Sequence, residues 1–540
     1  MQLEPVVAQV LAGAVHGDAG VIERIAVAVG DDQVDALLAK SWQKHQIKPN
    51  ALVDDATFLR RVYLTVVGRI PTLDEARGFY ACQMPDKRAK LIDSLLASEG
   101  YVQNFFNYWA DVLRAQSQGV AGSTTSLNYL NYLRAALREN KPYDQIAREL
   151  VSSEGSCFDT GAIGYYMRDR GMPLDNLSNT TRIFLGTRME CAQCHDHPFD
   201  KWTQKQFYEM AAFTHNMSAS SYRSKSGDEV QKMIRNDKSL DNDTRDLMRQ
   251  ALNEATRSLR DTLVVQNKGQ LRLPHDYKYK DAKPKDVVQA SVMFGKPVAL
   301  QKESNTIGEF GQWLTSPENP RFTTIIANRL WQRVFGAGLY EQVDEMMDSS
   351  VASNPELMHF LERQMVALKY DMKAYLRVLY NTQAYQNEVT RTEPVLGEVY
   401  HFPGPVLRRM TAEQIYDSFV TLIHPTPDLP RRKGIDAEMA QKIVYRGKLS
   451  DALDLLTPQE IFDGAAKASE GYEAVSARST PLREAYTAAQ KAKDKPLIEK
   501  LNLEIRSVEF VARSKLGGRA HRHHLLPPQG AVGHLPGGVF

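Results

Sequence analysis

Helix-start signals recur along the chain directly ahead of segments whose apolar residues return every three or four positions. This pattern narrows the fold more than any other feature. Thr72 stands three residues before Glu75, the spacing at which a hydroxyl and a carboxylate cap each other's backbone N–H groups, and Ala76, Phe79 and Tyr80 follow on one face. "KRAKLIDSLLASEGY" places Leu91, Ile92, Leu95 and Leu96 at helical spacing and sets Gly100 at an expected C-cap. Phe105, Trp109 and Val112 continue the period. Ser316-Pro317-Glu318 and Asn354-Pro355-Glu356 each put a cap residue before proline at a first helical position. After the second, Leu357, Phe360, Leu361, Met365 and Leu368 form an apolar stripe suited to core packing. Strand signals are few and short, and no internal repeat is evident. The expected fold is all-α, mostly helical with few short strands, in two helical lobes joined by a charged helix and an extended connector.

With 540 residues and 43% hydrophobic content the chain has ample material for buried cores. Lys and Arg number 67 against 65 Asp and Glu, so no overall field favours nucleic acid or an anionic membrane. No nucleic-acid partner is expected. No apolar run is long enough for a transmembrane segment, and the apolar start "MQLEPVVAQVLAGAV" lacks the basic flank and clean cleavage site of a signal peptide. Residues 1–33 are read as an N-terminal segment, 218–304 as a charged helical insert and connector, and 517–540 as a His/Pro/Gly-rich tail, disordered or artefactual. His521, His523 and His524 in that tail are the material for a His-rich metal site as an alternative.

Cysteine is sparse. Cys82 and Cys157 stand alone, whereas Cys191 and Cys194 lie two residues apart in "RMECAQCHDHPFDKW", with His195 immediately after. C-x-x-C-H suits covalent haem c, because two thiols at that spacing can each add to a vinyl group while the next imidazole ligates iron. Zinc is the competing reading, with ligands drawn from Cys191, Cys194, His195, His197 and Asp200. A redox dithiol is disfavoured because the pair follows a helical segment, "NTTRIFLGTRM", rather than a strand. In a fourth reading the loop carries no chemistry: Asp196 and Asp200 cap backbone groups, His197 makes a satisfied hydrogen bond and Trp202 is buried. For a haem, the distal ligand candidates are Met210, His215 and Met217. A metal-dependent hydrolase using His197 and Asp200 has only composition behind it. No catalytic residue is assigned.

Several segments together, "DDATFLRRVYLTVVGRIPTLDEARGFY", "NYWADVLR", "NKPYDQIARELVSSEGS" and "TTRIFLGTRMECAQCHDHPFDKWTQKQFYEMAAF", resemble the cytochrome c-like domain of planctomycetes and related bacteria, domain of unknown function 1549. The resemblance spans residues 34–217. A second block within 305–516, from "EFGQWLTSPENPRFTTIIANRLWQRVFGAGL" through "RRMTAEQIYDSF", is similar to its usual partner, domain of unknown function 1553. The resemblance implies export to the periplasm, though no signal is evident in this chain. It also implies haem-dependent electron transfer or oxidation, as an accessory to polysaccharide breakdown, with a redox partner protein or a large extracellular substrate. The alternative function is a non-haem helical interaction scaffold. Oligomeric state is not legible.

Overall fold

A computed structural model describes residues 19–116, 122–220, 225–256, 259, 262–266, 269–295, 298, 306–391, 398–429 and 433–520. The histidines of the tail and the apolar start fall outside the described residues. The protein is mostly helical, with a single three-stranded sheet among the described residues, ordered Gly155–Ser156, Leu263–Gln266, Met217–Ser220.

Local sequence explains most helix starts. Thr72 and Glu75 form the reciprocal capping box of the helix Leu73–Ala81. Asn354 accepts from Leu357 N–H at 3.1 Å, with Pro355 opening the helix Pro355–Ala367. Two expected boundaries move. Gly100 lies inside the helix Glu99–Val112, which Ser98 caps, and the preceding helix ends at Leu96. The glycine serves packing instead, since a Cβ there would come within 2.8 Å of Val67 Cβ. Ser316–Glu318 is a turn, and the next helix starts at Phe322. Pro320 explains the delay: it disfavours helical backbone at Asn319 and removes a donor.

The chain divides into two compact units that do not run in chain order as two consecutive lobes would. The first combines Met1–Ala219 with Val264–Arg431, the second Ser220–Leu263 with Arg432–Phe540. In the first, one continuous core draws on both resembling blocks: Tyr143 stacks on Phe322 with ring centroids 5.4 Å apart, and Trp109, Phe184, Phe310 and Trp331 are all buried. A buried polar strut joins the blocks as well. Arg329 donates to the Ile183 carbonyl at 3.0 Å and to Asp344 Oδ1 at 2.6 Å, and Arg182 reaches the other Asp344 oxygen at 2.9 Å. Apolar surface on each block is covered by the other, which is why the division by sequence order and the division by packing differ.

The second unit is built from helices Lys225–Asn236, Asn242–Ala255, Lys433–Leu455, Pro458–Ala492 and Lys495–Ala520. Val230, Ile234, Met248, Ile461 and Ala465 form its buried cluster. The charged run after Ser218 therefore holds two helices whose apolar residues are paired within this unit.

Candidate functional site

The Cys191–Trp202 loop is carried by the helix Pro173–Leu185, whose buried Ile183, Phe184 and Leu185 fix it in the first unit's core. The helix stops at Gly186, which adopts φ +56°, a left-handed conformation that glycine takes without penalty. Met189 is buried, and the chain then makes a single 3₁₀ turn, Glu190–Gln193. Both Cys194 and His195 donate their backbone N–H to the Cys191 carbonyl at 3.2 Å.

Cys191 and Cys194 are both exposed and unpaired, whereas Cys157 is buried and Cys82 half-buried. His195 is exposed, and its Nδ1 lies 2.8 Å from the Asp196 carbonyl oxygen. A carbonyl only accepts, so Nδ1 carries the proton, and in the neutral ring Nε2 keeps a lone pair. Two accessible thiols and one oriented imidazole nitrogen are therefore the reactive content of the turn.

The remaining polar residues of "HDHPFD" are engaged in holding the loop. Asp196 donates its N–H to Tyr279 Oη at 2.7 Å and accepts from Gln204 N–H at 2.8 Å, alongside the Thr203–Gln206 capping box of the helix Gln204–Ala211. His197 donates its N–H to the Trp202 carbonyl at 2.8 Å, and its Nδ1 accepts from Phe199 N–H at 3.2 Å and Asp200 N–H at 2.9 Å. In its neutral form that ring carries its proton on Nε2 and has no lone pair left for a metal. Asp200 accepts from Lys201 N–H at 2.7 Å. Trp202 is 2% exposed and packs edge-to-face on Phe294, while Lys201 pairs with Asp348. Phe199, by contrast, is 85% exposed. Burial, then Cys194 and Asp276 nearby, push the Tyr208 phenol up, so it stays protonated near neutrality.

Among the described residues no group of three or more His, Cys, Asp or Glu side chains is placed to hold a metal ion. His197 and Asp200 are thus not gathered with the cysteines as a zinc ligand set. The three distal candidates, alternatives for one position, sit in different surroundings. Met210 is buried in the large core, Met217 in a separate cluster with Cys157, Ile163 and Met167, and His215 is half-buried on the turn after the helix Gln204–Ala211, with burial holding its imidazole below the ordinary histidine value. The attachment set Cys191, Cys194 and His195 does fit a covalently held haem: the thiols are free and accessible, and the imidazole is fixed through the nitrogen that would face away from iron. Tyr279, which sequence reasoning missed, anchors the turn from a segment more than eighty residues downstream.

Among the described residues no helix is long and apolar enough to cross a membrane. Two family models match the chain: PSCyt2, a protein of unknown function (DUF1549), over residues 33–219, and PSD1, a protein of unknown function (DUF1553), over residues 308–516. No match to the chain is found among curated proteins or solved structures. The first compact unit takes in the whole PSCyt2 match together with the start of PSD1, and the second takes the rest of PSD1. Residues 33–219 thus belong to the PSCyt2 family, and residues 308–516 to the PSD1 family that follows it.

Proposed function

We propose that the Cys191–His195 turn is the attachment site of one c-type haem and that the protein transfers electrons, outside the cytoplasm, to or from a partner. One observation carries this reading. Two exposed, unpaired thiols precede an exposed imidazole whose Nδ1 is tied to the Asp196 carbonyl, which leaves Nε2 of the neutral ring with its lone pair. Cys191 and Cys194 would hold the group through thioethers, each S–H adding across one vinyl double bond, and His195 would supply the proximal nitrogen. When bound, the group supplies one-electron chemistry at iron. Asp196 orients the imidazole through its carbonyl and the following helix through its carboxylate. His197 and the buried Trp202 tie down the loop that follows the turn. Phe199 offers apolar surface beside the turn for the group or a partner to cover. Involvement in polysaccharide breakdown rests on the resemblance described above.

A second reading is favoured by a different observation. The loop satisfies its own backbone through Asp196, His197 and Asp200 without any added group, as expected of a helical scaffold in which the turn is structural. Cys194→Ser, expressed with an export signal in a host that matures c-type cytochromes, separates haem attachment, a structural turn and the zinc alternative. Haem attachment predicts that the variant folds with an altered or lost covalent chromophore against a coloured wild type. A structural zinc predicts loss of folding, since metal-binding free energy is then folding free energy. A colourless wild type with an unaffected variant leaves the scaffold.

A further inference from the structure

A second place in the first unit gathers unbalanced positive charge. Arg61, Arg333 and Arg408 come from three elements far apart in sequence, and among the described residues none of them forms an ion pair. Their partners are neutral. Arg61 donates to the carbonyls of Tyr385 and Asn387, the latter at 2.7 Å. Arg333 donates to Asn104 Oδ1 at 2.9 Å and lies over the Tyr108 ring at 4.7 Å. Arg408 donates to the Arg333 carbonyl at 2.8 Å and the Val334 carbonyl at 3.3 Å, at the end of the helix Phe322–Phe335.

These contacts link into one patch. Asn104 donates to the Thr65 carbonyl at 2.9 Å, Thr65 shares a hydrogen bond of 2.7 Å with Tyr385 Oη, and Arg61 lies over the Tyr385 ring. Tyr380 packs against Tyr385 with ring centroids 5.0 Å apart, and its buried hydroxyl has Thr65 within reach only at a geometry too poor for an ordinary hydrogen bond. A buried hydroxyl satisfied so weakly is unfavourable and gains from a better acceptor. Arg408 keeps its side chain exposed while set among protein atoms on most sides, so a small solute has access. Helix C-termini explain one or two N–H donors of Arg61 and Arg408. They do not explain three guanidiniums, most of whose donors are unengaged, without one carboxylate between them.

We propose that Arg61, Arg333 and Arg408, with the Tyr380 hydroxyl, form a binding site for a tetrahedral oxyanion, phosphate or sulfate, free or as the end of a monoester. Forked guanidinium donors match the oxygens of such groups, and an anion replaces the missing counter-charge. Consistent with this, burial and then the neighbouring Arg333 and Arg61 lower the Arg408 pKa, a cost that a bound anion relieves. The site is independent of the cysteine turn and does not rest on haem.

The test is equilibrium binding of radiolabelled inorganic phosphate to the full chain at fixed ionic strength, with sulfate and phenyl phosphate as competitors. The expected result is saturable binding displaced by sulfate, weakened about tenfold or more in Arg408→Gln and in Tyr380→Phe, and unchanged in Arg188→Gln, an exposed arginine elsewhere. Tyr380→Phe removes only this weakly satisfied hydroxyl and should fold about as well as wild type, which keeps the test sharp if Arg408→Gln unfolds. Displacement by phenyl phosphate assigns the site to a monoester end, and displacement by the inorganic ions alone assigns it to the free anion. Absence of saturable binding, or equal loss in Arg188→Gln, overturns the proposal.

Discussion

Gly186→Ala puts a side chain where the helix that carries the cysteine turn meets the second family block. A Cβ at this position would lie inside contact distance of Ile325 Cδ1 and 2.9 Å from the Val343 carbonyl oxygen. Left-handed backbone costs a residue with a Cβ about 1–2 kcal/mol, and overpacking a filled site adds about 1–3 kcal/mol. The substitution is therefore expected to destabilise the first unit by about 2–5 kcal/mol. The carbonyl cannot swing away, but the isoleucine contact can be removed. Ile325→Val alone should cost about 0.5–1.5 kcal/mol, and the double variant should be more stable than the sum of the two by about 1 kcal/mol. All five tryptophans, Trp42, Trp109, Trp202, Trp313 and Trp331, lie in the first unit. Denaturant titration followed by tryptophan fluorescence thus reads that unit directly. A cost below about 1 kcal/mol, or strict additivity with Ile325→Val, would refute the reasoning.

Asp196→Ala removes the acceptor of Gln204 N–H and should lower the same fluorescence transition by about 1 kcal/mol; no change would mean that Thr203 alone caps the helix. In haem-free protein under native reducing conditions, a thiol reagent should modify Cys191 and Cys194 quickly and Cys157 only on unfolding, with Cys82 between them; peptide mapping after a short pulse checks the order. His401, stacked on His45 at 4.2 Å, is held below the ordinary histidine value by burial and then by His45, and burial acts on His215 in the same direction. Above about pH 6.5 both folded and unfolded forms are neutral, and below it the unfolded chain takes up protons first, so stability falls as the pH drops. His401→Gln should flatten part of that slope, as measured by denaturant titrations across the range.

Features set by neighbours in sequence are legible in the sequence itself. The Thr72 and Asn354 caps and the stripe from Leu357 to Leu368 depend on residues within a turn or two, and they fold as read. Of the four readings open for the loop after Cys194, only the one without chemistry names local contacts, and those contacts form: Asp196 and Asp200 cap backbone groups, His197 accepts a hydrogen bond and Trp202 is buried. At Gly100 and Ser316 competing local signals, Ser98 and Pro320, decide the helix boundaries instead. What stayed hidden depends on distance along the chain. Tyr143 against Phe322, Arg329 against Ile183, and Tyr279 against Asp196 join residues that no periodicity relates. Met210 and Met217 are alike in sequence as iron-ligand candidates, and packing places them in two different clusters. The Arg61, Arg333 and Arg408 patch draws on positions nearly 350 residues apart, so only the fold assembles it.

The most direct test of the account joins an intact-mass measurement to an absorption spectrum. The protein is made with an export signal in a host that matures c-type cytochromes, and metal content is measured on the same sample. Attachment at Cys191 and Cys194 predicts a mass increase of one haem, reduced-state visible bands and no reactive thiols in the turn. A colourless protein of unmodified mass, beside a control cytochrome matured in the same cells, would contradict it.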